Sequence, residues 1–151
     1  MAGCEGCRVT SGSDDAQDEL NGLLNGAVGF AEQTLQRYGE LYPFGAALDR
    51  TGEERLLGAD PGEGDHPDST SVLEALYAGA GANAAELRAV AFVADVLLDG
   101  SDALRVELEH SEGASLVVHL PYRLEGDGDA REVAFGELVA HEAGPRIWGQ
   151  A

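Results

Sequence analysis

Few side chains in this sequence have the type and spacing for chemistry. The fullest set is Glu107, Glu109 and His119. Ser111-Glu112-Gly113 reads as a three-residue hairpin loop with Gly113 in the left-handed position, and that loop sets the register of the flanking strands. Leu104, Val106, Leu108, Leu116, Val118, Leu120 and Tyr122 then share one face. Arg105, Glu107, Glu109, Ser115, Val117 and His119 share the other, with Arg105 directly across from His119. A two-residue loop would mix charges with leucines on both faces. A one-residue slip turns every side chain over, so the apolar pattern selects the register. A carboxylate beside an imidazole can carry general acid–base catalysis. The chain order places no Ser or Cys nucleophile nearby, and opposite charges paired across a solvent-facing sheet are ordinary, adding roughly 0.2–1 kcal/mol. The expectation is an exposed structural face. Glu107, Glu109, His119 and Arg105 are the catalytic candidates if the chain is an enzyme.

Cys4-Glu5-Gly6-Cys7 is a CxxC. Two thiolates so spaced can chelate zinc or cycle as a redox pair. A structural zinc takes four ligands, and the sequence holds no second CxxC and no HxxxH or HxH. The strand-then-helix context of a thioredoxin-like pair is missing as well. Cys4 and Cys7 are expected to be a tail dithiol; their functional version is a zinc site shared between two chains. His66, beside Asp65 and Asp68, could make a weak metal contact, but a solvated loop histidine is the expectation. His110 reads as a histidine at the rim of the apolar face with one hydrogen bond. No phosphate-binding loop and no GxGxxG after a strand occur, so no cofactor is expected.

These residues need elements to position them. Leu20, Leu23, Leu24, Ala27, Phe30, Ala31, Thr34, Leu35 and Tyr38 recur at helical spacing, with Asp14 or Asp15 as the cap and Gly39 just past the end. Gly22, Gly26 and Gly29 would suit close packing against a sheet. Residues 41–49 read as a strand that begins after Pro43 or lies at an edge, with residues 54–58 as its return. Pro61, Gly62, Gly64 and Pro67 mark a loop. Ser71 and Glu74 have capping-box spacing ahead of a helix with Leu73, Leu76, Tyr77 and Ala80 on one face. Residues 88–98 are apolar on both faces, which predicts a central strand covered on both sides. The hairpin follows, and residues 131–141 read as a last strand. Tyr42-Pro43-Phe44-Gly45, Pro121-Tyr122 and Ile147-Trp148 are expected in the core, or in a binding groove if exposed together. The fold class is α+β: an antiparallel sheet of about six strands and two helices in the order α-β-β-α-β-β-β-β, with both helices on one face. Residues 1–13 read as a tail and 14–151 as one domain.

The 151 residues contain 28 acids, nine Arg and no Lys, a formal charge of -19. Such a surface repels phosphate, which argues against nucleic acid and anionic lipid as partners. Adaptation to high salt explains the excess of acids better than GC-rich codon usage does, and the composition resembles that of cytoplasmic proteins of salt-in halophilic archaea. No apolar run reaches about 18 residues, so no membrane span is expected. Residues 1–13 lack the apolar stretch of a signal peptide, and the expected location is cytoplasmic.

The run YPFGAALDRTGEERLL, with DALRVELEHSEG and HLPYRLEGDG, resembles a group of small prokaryotic hypothetical proteins. The resemblance spans roughly residues 38–148 and implies a self-contained domain; it carries no catalytic residue. In size and charge the chain is similar to immunity-like antitoxins and secretion-type chaperones. The expected function is a non-enzymatic domain that binds another protein, with a homo-oligomer left open. The alternatives are a small hydrolase or isomerase using the Glu107/His119 face and a zinc-linked dimer through Cys4 and Cys7.

Overall fold

Period-two alternation builds a sheet here, and two amphipathic helices cover it. The computed structural model describes residues 12–57, 69–144 and 146–148. The elements are α1 (Gly12–Tyr38), β1 (Phe44–Asp49), β2 (Glu54–Leu57), α2 (Ser69–Ala82), β3 (Leu87–Leu98), β4 (Ser101–His110), β5 (Ser115–Glu125), β6 (Glu132–Phe135) and β7 (Val139–Glu142). All pairings are antiparallel, in the order β2-β1-β3-β4-β5-β6, and β7 also pairs with β5. The α+β class and the element order are as expected from the sequence.

The strand expected at 131–141 is two strands. β6 pairs with Tyr122–Glu125 of β5 and β7 with Leu116–His119. Between them Gly136 donates its N–H to the Pro121 carbonyl at 2.7 Å. Pro121 has no N–H to return to that edge, so the ladder breaks opposite it.

The helices lie on opposite faces, which corrects the expectation that they share one. Leu20, Leu23, Ala27, Ala31 and Leu35 of α1 pack on Leu48, Ala91, Val93, Val106, Leu108 and Val118. Val72, Leu76 and Ala80 of α2 pack on Ala47, Val90 and Phe92. The physical reason is β3. Its odd residues Ala89, Ala91 and Val93 face α1, its even residues Val90 and Phe92 face α2, and all five are buried. A strand apolar on both sides needs a cover on each.

Three local expectations also change. α1 begins at Gly12, so Asp14 and Asp15 lie inside its first turn and not at the position before it. α2 begins at Ser69, so Ser71 is helical and the capping box is not its start. Gly22 and Gly29 have open space where a Cβ would stand, and Gly26 meets only the Glu54 carboxylate at 3.2 Å, so these glycines do not bring α1 close to the sheet. β1 does begin after Pro43. Gly39, at φ 74°, closes α1 by donating its N–H to the Leu35 carbonyl at 2.8 Å. β4 resumes at Ser101 after a two-residue turn, Asp99 and Gly100, with φ 54° and 83°. Cys4, Cys7, Asp65, His66 and Asp68 lie outside the described residues.

Candidate functional site

The β4–β5 hairpin has the register read from its loop. Gly113 sits at φ 111° and donates to the His110 carbonyl at 2.9 Å. Arg105 is paired with His119, Glu107 with Val117 and Glu109 with Ser115. On the other edge of β4 these residues face Ala94, Phe92 and Val90 of β3. Arg105, Glu107, Glu109 and His119 therefore share the face that carries α2.

Glu109 is buried, at 6% exposure. Its Oε1 accepts the backbone N–H groups of Arg146 at 2.8 Å and Ile147 at 2.9 Å, and its Oε2 accepts that of Trp148 at 2.8 Å. One carboxylate thus clasps three successive amides of the C-terminal segment. Trp148 also donates its indole N–H to the Ala84 carbonyl at 3.3 Å. Ile147 and Trp148 are half-buried against the α2 cluster.

Glu107 is engaged as fully. Its Oε2 accepts from Arg105 Nη1 at 2.6 Å and from the Tyr77 hydroxyl, and its Oε1 from Arg146 Nε at 3.1 Å. The Arg146 guanidinium lies 3.9 Å from the Tyr77 ring centre, and the Tyr77 ring meets Phe92 edge-on at 4.8 Å. Burial, then the bond to the Glu107 carboxylate, pushes the Tyr77 hydroxyl up to about 12, so it stays a donor. The space left between clasp and sheet is about 20 Å³, room for about one water and no substrate.

His119 stands apart from this network. Among the described residues no hydrogen bond joins it to Glu107 or Glu109. Its ring lies 5.9 Å from that of His141, at an interplanar angle of 67°. Burial, then the Arg105 charge and His141, lowers its pKa below the ordinary histidine value. The residues expected on one face are brought together there, but Glu109 is buried where an exposed face was expected, and both carboxylates are engaged by partners other than His119.

Other buried and half-buried polar groups are also hydrogen-bonded. His110, at 1% exposure, accepts the Glu112 N–H at Nδ1 (3.1 Å), so its Nε2–H donates to Glu19 Oε1 at 2.7 Å. Glu19 also binds Arg88, tying α1 to β3. Asp49 Oδ1 accepts from the Thr51 hydroxyl at 2.6 Å and from the N–H groups of Thr51 and Glu53 at 2.9 and 3.0 Å, and its Oδ2 binds Arg55 at 2.8 Å. The Thr51 hydroxyl first, then the Glu53 amide, holds the Asp49 carboxyl down at about 2. The Tyr122 hydroxyl donates to Asp95 at 2.8 Å, while burial raises the Asp95 carboxyl.

The aromatic segments do not meet in one groove. Phe44 and Tyr122 are buried under α1, whereas Ile147 and Trp148 pack on the α2 side. Sequence reasoning missed Tyr77, Arg146, Trp148 and Glu19 as partners of the polar cluster. Glu19 adjoins the apolar stripe of α1, the one signal that could have marked it. Among the described residues no group of three or more His, Cys, Asp or Glu is arranged to hold a metal ion, and no described helix is long and apolar enough to cross a membrane. Comparison with protein-family models, curated proteins and solved structures gives no match to this chain.

Proposed function

We propose that this is a non-enzymatic interaction domain that binds another protein over the open half of the sheet's α2 side. The observation that carries this reading is the apolar strip along β5 and β7. α2 packs on β1 and β3, and the 146–148 segment sits on the carboxylates of β4. Farther along the same face Val117, His119 and Pro121 of β5 are only half-buried, and Val139 of β7, paired with His119, is 45% exposed. Contiguous apolar surface of this kind favours association. The engaged state of Glu107 and Glu109 weighs against acid–base chemistry on this face. The formal charge of -19 disfavours nucleic acid as the partner.

The test is a pull-down from native cells at the cell's own salt concentration, read by mass spectrometry. Wild-type, Val139→Asp and Leu56→Asp proteins serve as baits. Leu56 is 59% exposed on the opposite edge strand and is the control. A protein captured by the wild type and by Leu56→Asp but lost with Val139→Asp supports the reading. A catch that is the same for all three baits refutes it.

A further inference from the structure

We propose that His119 and His141 are the two protein ligands of a site for a late first-row divalent cation, zinc being the test case. β5 and β7 pair so that His119 stands opposite Val139 and His141 opposite Val117. The histidines are therefore diagonal neighbours on one face, a relation that lets long or aromatic side chains meet. Their ring centres are 5.9 Å apart. A zinc ion at about 2.0–2.1 Å from one nitrogen of each ring places the two ring centres roughly 5–6 Å apart across a tetrahedral or somewhat wider angle. The observed separation falls at the upper end of that range, within reach of a small side-chain rotation.

Three features of the surroundings favour a cation here. Neither imidazole has a hydrogen-bond partner among the described residues, in contrast to His110, whose two nitrogens are both in use. The nearest fixed cation, Arg105, is already paired with Glu107 at 2.6 Å. The acidic surface of the whole chain raises the local concentration of divalent ions. Imidazole donors suit zinc, copper and nickel, while magnesium and calcium prefer oxygen. Zinc takes four ligands, so water fills the two positions that face away from the sheet.

The experiment is a calorimetric titration with zinc chloride of the full chain carrying Cys4→Ser and Cys7→Ser, so that the thiols do not compete. Imidazole ¹H–¹⁵N spectra are recorded alongside. The expected result is one zinc per chain, with the resonances of His119 and His141 moving together. His119→Gln or His141→Gln should each weaken binding by roughly tenfold or more. His66→Gln should leave it unchanged, and magnesium chloride should produce no shift. Both substituted positions are at least partly exposed, so the variants are expected to fold, and circular dichroism checks that they do. The proposal is overturned if neither histidine variant changes zinc affinity, if His66→Gln weakens it as much, if only one of the two imidazoles responds, or if zinc binding disappears with the cysteines.

Discussion

Replacing Glu109 by Gln should release the C-terminal segment. The carboxylate accepts three amides at 2.8–2.9 Å with only 6% of the residue exposed. A glutamine keeps one carbonyl oxygen and turns an NH₂ group toward donors, so at least one amide loses its acceptor. A hydrogen bond to a charged group is worth about 1.5–3 kcal/mol. The loss is capped, because a detached segment can satisfy its amides with water. What it then forfeits is the half-burial of Ile147 and Trp148. Fully burying such side chains contributes about 1.5–3 kcal/mol each, so half-burial of the pair contributes about 2–3 kcal/mol. The expected destabilisation is about 2–4 kcal/mol by urea unfolding. Trp148 is the only tryptophan, so its fluorescence reports the release directly. Emission should shift to longer wavelength in the folded variant, before any denaturant is added. An unshifted emission together with a stability change below about 0.5 kcal/mol would refute the clasp.

Four further outcomes are expected. Leu108→Ala should cost about 2–5 kcal/mol, since Leu108 is 2% exposed under α1, whereas His119→Ala should change stability by roughly half a kcal/mol or less; the reverse order in urea denaturation would contradict the register. Asp49 is held from its ordinary 3.8 down to about 2, so its contribution is present above 3.8 and lost as pH falls through 2; Asp49→Asn should flatten the decline in urea midpoint across that window. Gly22→Ala should stabilise by about 0.5–1 kcal/mol, because the position is helical and nothing stands where the methyl would go; thermal melts measure it. The melting temperature of the wild type should rise with KCl from low to molar concentration, and a flat or falling curve would remove high-salt adaptation as the reason for the charge.

The β4–β5 register was legible because it is local. Gly113 and the alternation around it settle which residues face each way within about twenty positions. α1 was legible from its apolar stripe, but it begins at Gly12, three or four residues before the first helical position that a cap at Asp14 or Asp15 implies, because acidic residues also suit the first turn. The side taken by each helix was a different matter. The double-faced apolar pattern of β3 carried the information, but it bears on the helices only once β3 is known to be central between β1 and β4. The clasp was not legible at all. Glu109 and its amide donors are 37 to 39 residues apart, and nothing in the composition of Arg146-Ile147-Trp148 announces a carboxylate partner. The meeting of His119 with His141 depends on the break at Pro121 and Gly136, which sets where β7 joins β5 and which the continuous reading of 131–141 hid.

The acids of this chain fall into two populations with different physics, and the salt response separates them. Among the described residues the buried acids are Asp49 and Glu109, and each receives at least three hydrogen bonds from within the chain. A carboxylate out of water stays charged only with such a donor set, so these two act as directional fasteners: Asp49 for the β1–β2 turn, Glu109 for the C-terminal segment. Most of the remaining acids among the described residues face solvent, where their mutual repulsion opposes the compact state. At molar salt the Debye length shrinks to about 3 Å, which screens charges separated by water but barely touches a buried bond of similar length. Salt should therefore relieve the second population and leave the first unchanged. Wild type and Glu109→Gln should gain nearly the same melting temperature between low and molar KCl, with the variant lower by a constant offset. An offset that closes as salt rises would mean that Glu109 acts through surface charge, and the three amide bonds would no longer explain its place in the fold.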